Sequence, residues 1–139
     1  MPEVPVNYLA VLVAGVASMV IGFLWYGPVF GKQWLALSGV NFNAVDPAKR
    51  KAMANRGYVI NFIASLVMAF VLAHTIAYTQ AASIMDAAFA AFWTWLGFIA
   101  TVLIGMVLWE NKPVKLYLIN AFHYLAVLIV MAIIIFWMA

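Results

Sequence analysis

The sequence predicts an all-α membrane protein in which four transmembrane helices form an antiparallel bundle, with a short interfacial helix in the first loop. Of its 139 residues, 69% are hydrophobic and only 8% are charged, whereas a soluble domain carries about 25% charged residues. The apolar residues form four runs, each close to the roughly 20 residues that cross a bilayer core. Helices satisfy every backbone hydrogen bond without water, so we expect residues 1–139 to form a single transmembrane domain.

The first span is predicted at about residues 7–26. No Lys or Arg precedes it and no cleavage-site pattern follows it, so we expect a permanent span rather than a signal peptide. Small residues recur at every fourth position, at Ala10, Ala14, Ser18 and Gly22. Such a stripe lets a neighbouring helix approach closely. Trp25 and Tyr26 place amphipathic rings where the span reaches the headgroup layer.

Residues 27–56 are predicted to be a loop that begins with a helix break at Pro28, because proline cannot donate a helical hydrogen bond. Helical spacing of the apolar residues that follow indicates a short helix lying flat in the interface. These residues are Phe30, Trp34 and Leu37. Asp46 and Pro47 then resemble the N-cap and first residue of a helix that runs directly into the second span. A loop of this length is too short for a folded catalytic domain.

The second span is predicted at about residues 57–78 and the third at about residues 86–109. The second carries a stripe of small or polar residues, namely Asn61, Ser65, Ala69, Ala73 and Ala77. Asp86 is the candidate N-cap of the third span. A further small stripe follows within that span, at Gly97, Thr101 and Gly105. Three stripes exceed what one small bundle needs, so one of them is a candidate contact with another chain.

The fourth span is predicted at about residues 114–137, after a tight turn that contains Glu110. Asn120 and His123 lie in its first half, and residues 125–136 are purely apolar. Because they are three residues apart, these two polar side chains share one region of the helix surface.

Charge placement predicts the orientation of the chain in the membrane. The loop between the first two spans holds five Lys or Arg residues and the turn before the fourth span holds two, whereas the N-terminus and the link after the second span hold none. The positive-inside rule therefore puts loop 27–56 and the turn in the cytoplasm and both termini outside it. A pI of about 9.3 would suggest nucleic acid as the partner of a soluble protein, but here we expect membrane lipid and no nucleic acid.

Several motifs resemble those of a known family. They are Gly22-x-x-Trp25-Tyr26-Gly27-Pro28 with Phe30-Gly31-Lys32-x-Trp34, then Trp95-Leu96-Gly97-Phe98, then Glu110 followed by Leu118-Ile119-Asn120. They resemble a family of small bacterial membrane proteins known only as a domain of unknown function, over nearly the whole chain. The resemblance implies a four-helix inner-membrane protein, and it implies no activity, substrate or cofactor.

Polar groups inside lipid are costly, so each of them requires a reason. At about 1.5 Å per residue, Asn61 lies roughly 6 Å, Asn120 roughly 9 Å and His123 roughly 13 Å from the cytoplasmic ends of their spans. We expect one polar cluster in the cytoplasmic half of the bundle, formed by Trp25, Tyr26, Asn61, Glu110, Asn120 and His123. His123 is the foremost candidate because imidazole titrates near neutrality. The alternative is that these side chains only fix helix packing through hydrogen bonds.

The sequence favours binding or assembly over catalysis. It contains no Cys, no phosphate-binding loop and no paired carboxylates. Its two histidines are expected near opposite sides of the membrane, so they cannot bind the same metal ion. We therefore expect no metal and no cofactor. The first hypothesis is an oligomeric module that binds or transports a small molecule or lipid through the polar cluster. The second is an accessory or scaffold subunit of a membrane complex. The third is a membrane enzyme that acts on lipid or quinone with Glu110, His123 and the interfacial Trp residues, and no motif supports it.

Overall fold

The computed structural model describes residues 3–139, and its regular elements are all helices. Four of them are long and apolar enough to cross a membrane, namely Tyr8–Val29, Pro47–Tyr78, Ile84–Leu108 and Val114–Met138. No residue in this described part of the chain lies in a strand. The predicted all-α fold with four membrane-spanning helices is therefore confirmed.

The first span consists of α1 (Tyr8–Leu24) and a π-helical turn (Trp25–Val29). The loop contains α2 (Gly31–Ser38) and a 3-10 turn (Phe42–Ala44), and α3 (Pro47–Tyr78) is the second span. The third span is divided into α4 (Ile84–Trp95), a second π-helical turn (Leu96–Ala100), α5 (Thr101–Leu103) and α6 (Gly105–Leu108). The fourth span is α7 (Val114–Met138).

The fourth span lies at the centre of the bundle. It packs against the first, second and third spans, and a larger share of it is buried than of any other span. Its core side chains include Val127, Leu128 and Met131. In the other spans, large apolar residues are mostly exposed, as expected for helices whose outer surface contacts lipid.

The two ends of the bundle differ in charge. At one end, the Lys112 ammonium donates a hydrogen bond to the Ser38 carbonyl at 3.0 Å, which joins the turn before α7 to the loop after the first span. We call this the basic end, because both basic segments lie there. At the other end, the Asn7 side chain donates to the Met138 carbonyl at 2.7 Å. The same Asn7 side chain caps α1 by accepting from the backbone of Leu9 and Ala10.

The small-residue stripes do not all pack inside the bundle. Ala10, Ala14 and Ser18 are buried, and so are Ser65 and Ala69 of the second stripe. In the third stripe, by contrast, Gly97 and Thr101 are exposed. Spacing predicts a face of small residues, but not whether that face contacts this chain or something outside it.

Two helix starts differ from prediction in their details. Pro47 is the first residue of the second span, as predicted, but the Asp46 side chain makes no capping hydrogen bond. The third span begins at Ile84, and Ser83 is its cap, so the prediction of Asp86 as the N-cap was wrong. The Ser83 hydroxyl accepts from the Asp86 backbone N–H at 3.1 Å, and the Asp86 carboxylate accepts from the Ala82 N–H at 3.0 Å. This arrangement resembles a capping box, in which the acidic residue lies in the first turn.

The predicted break at Gly27-Pro28 was also wrong. The helix continues to Val29, so the loop is shorter than predicted, and it ends where α3 begins at Pro47. The predicted short helix is present as α2, and its position at the membrane interface stays a prediction.

Candidate functional site

A π-helical turn brings Trp25 and Tyr26 to the fourth span. Pro28 has no N–H, so it cannot bond to the carbonyl four residues before it. The chain widens instead, and the Phe30 N–H donates to the Trp25 carbonyl at 2.8 Å. Such π-helical turns inside α-helices occur frequently at functional sites.

Three side chains from neighbouring spans bond to three consecutive residues of α7. The Trp25 indole donates to the Ile119 carbonyl at 3.0 Å, and the Tyr26 hydroxyl donates to the Asn120 side-chain oxygen at 2.8 Å. From the third span, the Trp95 indole donates to the Ala121 carbonyl at 2.6 Å. These bonds fix the rotation and depth of α7 at the polar turn that leads to His123.

Trp95 is a site residue that the sequence analysis named only as part of a motif and not as a candidate for the site, although a signal was present. Trp25-Tyr26-Gly27 and Trp95-Leu96-Gly97 share a Trp-x-Gly pattern. Each pattern coincides with the start of a π-helical turn, and each indole bonds to an α7 carbonyl. Each of the two Trp-x-Gly patterns therefore provides an indole that bonds to the same segment of α7.

His123 is buried without a hydrogen-bond partner. Its side chain is 9% exposed, and neither ring nitrogen bonds to any described residue. The ring packs against Tyr26 and Tyr124, with centroid distances of 4.9 and 4.8 Å, and more distantly against Trp25 at 6.1 Å. An unpaired buried polar group costs about 1–3 kcal/mol, so this imidazole is the main unsatisfied group of the site.

The His123 ring forms part of the wall of a cavity of about 490 Å³. The cavity lies between the first, second and fourth spans, toward the basic end. Its polar wall residues are Ser18, Tyr26, Tyr58, Asn61, Ser65, His123 and Tyr124. Gly22 lies beside the imidazole, and a Cβ atom at this glycine would be 3.8 Å from His123 Nε2. A side chain at Gly22 would therefore contact this nitrogen, which is itself buried.

The other polar groups of the wall differ in how well they are paired. The hydroxyls of Ser18 and Ser65 lie 3.2 Å apart, and Ser65 also donates to the Asn61 carbonyl at 2.9 Å. The Asn61 side-chain nitrogen makes only a 3.5 Å contact with the sulfur of Met19. Asn61 therefore keeps hydrogen-bonding capacity available to a bound molecule.

The structure brings together four of the predicted site residues, namely Trp25, Tyr26, Asn120 and His123. Asn61 lies on the wall of the same cavity. Asn120 instead lines an adjoining cavity of about 500 Å³, which shares Tyr26 and Tyr124 with the first. Glu110 does not join the group, since it is exposed in the turn and makes no hydrogen bond or ion pair with the described residues. Among these residues, no cluster of three His, Asp or Glu side chains could hold a metal ion.

Comparison with known proteins identifies a family for this chain. The model of a family described as a protein of unknown function, DUF1761, matches residues 9–136. This range includes nearly all of the four spans and every residue of the site. No curated protein and no solved structure matches the chain.

Proposed function

Since the chain belongs to the DUF1761 family, whose function is unknown, we propose a function from the site itself: the protein binds a small molecule or lipid in the cavity beside His123. The observation that supports this proposal is a buried imidazole with both nitrogens unpaired at the wall of that cavity. The cavity volume of about 490 Å³ lies within the roughly 300–1,000 Å³ of small-molecule sites. A ligand that bonds to the imidazole removes the cost of leaving it unpaired.

A purely structural role for the histidine agrees less well with these contacts. Polar residues that fix helix packing do so by bonding across helices, as Ser18 and Ser65 do here. His123 makes no such bond to the described residues. Both nitrogens are buried among the described residues, so binding requires the imidazole to turn toward the cavity.

The proposal includes the topology that the charges predict. Both termini lie outside the cytoplasm of a bacterium, and the cavity lies in the cytoplasmic half of the inner membrane, because the basic segments remain inside. The outward-facing Gly97 and Thr101 are the part of the surface where a second copy or another subunit packs most closely.

The two alternatives have less support. A scaffold or accessory subunit requires a closely packed interior, and a cavity of about 490 Å³ favours binding instead. An enzyme with Glu110 and His123 as acid and base requires the two groups to face one substrate. Glu110 lies outside the residues that line the cavity, so the geometry favours binding over acid–base catalysis.

Replacing His123 with Leu is expected to abolish binding and to leave the fold intact. Leucine fills similar space without an unpaired polar group, so we expect an unchanged or higher thermal midpoint. The measurement is mass spectrometry of the small molecules that co-purify in mild detergent, together with a thermal unfolding scan. His74→Leu is the matched control, since His74 bonds to the Phe70 carbonyl at 2.8 Å and lies outside the cavity. Retention of the same molecules by His123→Leu, or its unfolding, contradicts the proposal.

Replacing Gly22 with Ser is expected to give the imidazole a partner from within the chain. The Cβ position is 3.8 Å from Nε2, so a serine hydroxyl comes within hydrogen-bond distance. We expect Gly22→Ser to be about 1 kcal/mol more stable than Gly22→Ala and to bind less ligand. The alanine variant controls for the change in helix propensity. Equal stability of the two variants would mean that His123 is not an unsatisfied group.

A further inference from the structure

The wall of the cavity beside His123 is uncharged. None of the described residues that line it is an Asp, Glu, Lys or Arg, and its polar groups are hydroxyls, one amide and the imidazole. A charged ligand buried there would lack a countercharge, which is costly in an apolar medium. The ligand that fits this wall is therefore uncharged where it enters the cavity.

Aromatic rings form much of the same wall. At its edge, the rings of Phe23 and Tyr58 lie 5.5 Å apart and are inclined by 26°. Deeper in, Tyr26 and Tyr124 lie against the imidazole. Flat aromatic faces favour a planar unsaturated ring, which stacks on them with offset or edge-to-face geometry.

The edge formed by Phe23 and Tyr58 lies between the first and second spans. Both side chains are exposed on the outside of the bundle and belong to helices that are apolar enough to cross a membrane. A molecule that enters the cavity past this stacked pair of rings comes from the lipid phase, so it must dissolve in the bilayer.

Hydrogen-bonding groups for an oxygen-bearing ring are available in the cavity. Asn61 has an amide with spare capacity, and the hydroxyls of Tyr58 and Tyr124 bond to no other described residue. A neutral imidazole adds one donor and one acceptor. These groups suit ring carbonyls, which accept, and ring hydroxyls, which donate.

We propose that the ligand is an uncharged, planar, oxygen-bearing ring compound dissolved in the bilayer, the chemistry of a quinone head group. This inference rests on the proposed function and specifies its ligand. The ring of the ligand packs with the pair Phe23 and Tyr58 on one side and with Tyr26 and Tyr124 on the other. Its oxygens bond to Asn61, Tyr124 or His123. Any apolar tail extends between the first and second spans into lipid.

The test compares three probes that each carry a chain of ten carbons, namely decylubiquinone, decanol and decanoate, in which the carboxylate supplies the tenth carbon. Binding to the full chain in quinone-free lipid nanodiscs is measured by isothermal titration calorimetry. We expect decylubiquinone to bind at least about tenfold more tightly than either control. Tyr58→Leu removes an exposed aromatic face, so we expect it to weaken decylubiquinone binding about tenfold without lowering the thermal midpoint.

The outcomes separate this inference from the proposed function. If decanol binds as tightly as decylubiquinone and His123→Leu abolishes both, the chain is a binding protein but the ring inference is wrong. If decanoate binds most tightly and Arg50→Gln abolishes this, the inference is also wrong, since Arg50 lines an adjoining cavity that shares Tyr58 and Asn61. If no probe binds and no molecule co-purifies, both proposals fail.

Discussion

Replacing Trp95 with Ala is expected to cost about 3–5 kcal/mol of unfolding free energy, the range for removing a large aromatic side chain from a packed core. Trp95 is only 7% exposed, and its indole donates to the Ala121 carbonyl at 2.6 Å. Its ring packs against Phe92 and Phe122, with centroid distances of 5.9 and 5.8 Å. The measurement is equilibrium unfolding by SDS in mixed micelles.

The same helix offers a matched control for this prediction. Trp93 lies two residues before Trp95 and is 64% exposed, so Trp93→Ala should change the unfolding free energy by no more than about 0.5 kcal/mol. Trp95→Phe keeps an aromatic ring and removes the indole N–H, so we expect a smaller loss of about 1 kcal/mol. Equal losses for the alanine variants at positions 93 and 95 would contradict the proposed attachment of the third span to α7.

The four spans could be predicted because lipid imposes a strong constraint on sequence. A helix that crosses a bilayer needs a long apolar run, and the structure has four helices that are long and apolar enough. The start at Pro47 was also predictable, since proline is favoured at the first helical position. Continuation through Pro28 was not, because the prediction assumed α-helical hydrogen bonding and the chain forms a π-helical turn there.

The grouping of Tyr26, Asn120 and His123 was predictable for a related reason. A polar side chain within an apolar span faces the bundle interior, where other polar groups lie. This argument is weaker for Glu110, because a carboxylate at a helix end remains in water at little cost. Trp95 was missed because an aromatic residue in an apolar span is ordinarily core or interface, and its bond to an α7 carbonyl depends on tertiary packing.

The spacing of small residues predicts a face of small residues on a helix, but not what packs against that face. Substitutions at two glycines can test this difference. A Cβ atom at Gly15 would lie 2.7 Å from Leu66 Cδ2 in the second span, whereas a Cβ at Gly97 meets nothing within 4 Å. Leu66 Cδ2 is the end of a flexible side chain and can move away from a Cβ alone, but the further carbons of an isoleucine have no space at this buried position. We therefore expect Gly15→Ile to force the first two spans apart at a cost of about 3 kcal/mol, as overpacking does. Gly97→Ile should change the stability of the isolated chain by no more than about 0.5 kcal/mol.

The separation of the spans can be measured directly because the chain contains no Cys. The Ser18 and Ser65 hydroxyls lie 3.2 Å apart, so the pair Ser18→Cys and Ser65→Cys should oxidise to a disulfide. Adding Gly15→Ile should prevent this cross-link, and adding Gly97→Ile should not. If Gly97→Ile instead dissociates an oligomer without changing the cross-link, the third stripe contacts another chain. Efficient cross-linking and full stability with Gly15→Ile would contradict the contact between Gly15 and Leu66, and with it the geometry of the cavity that the same two spans enclose.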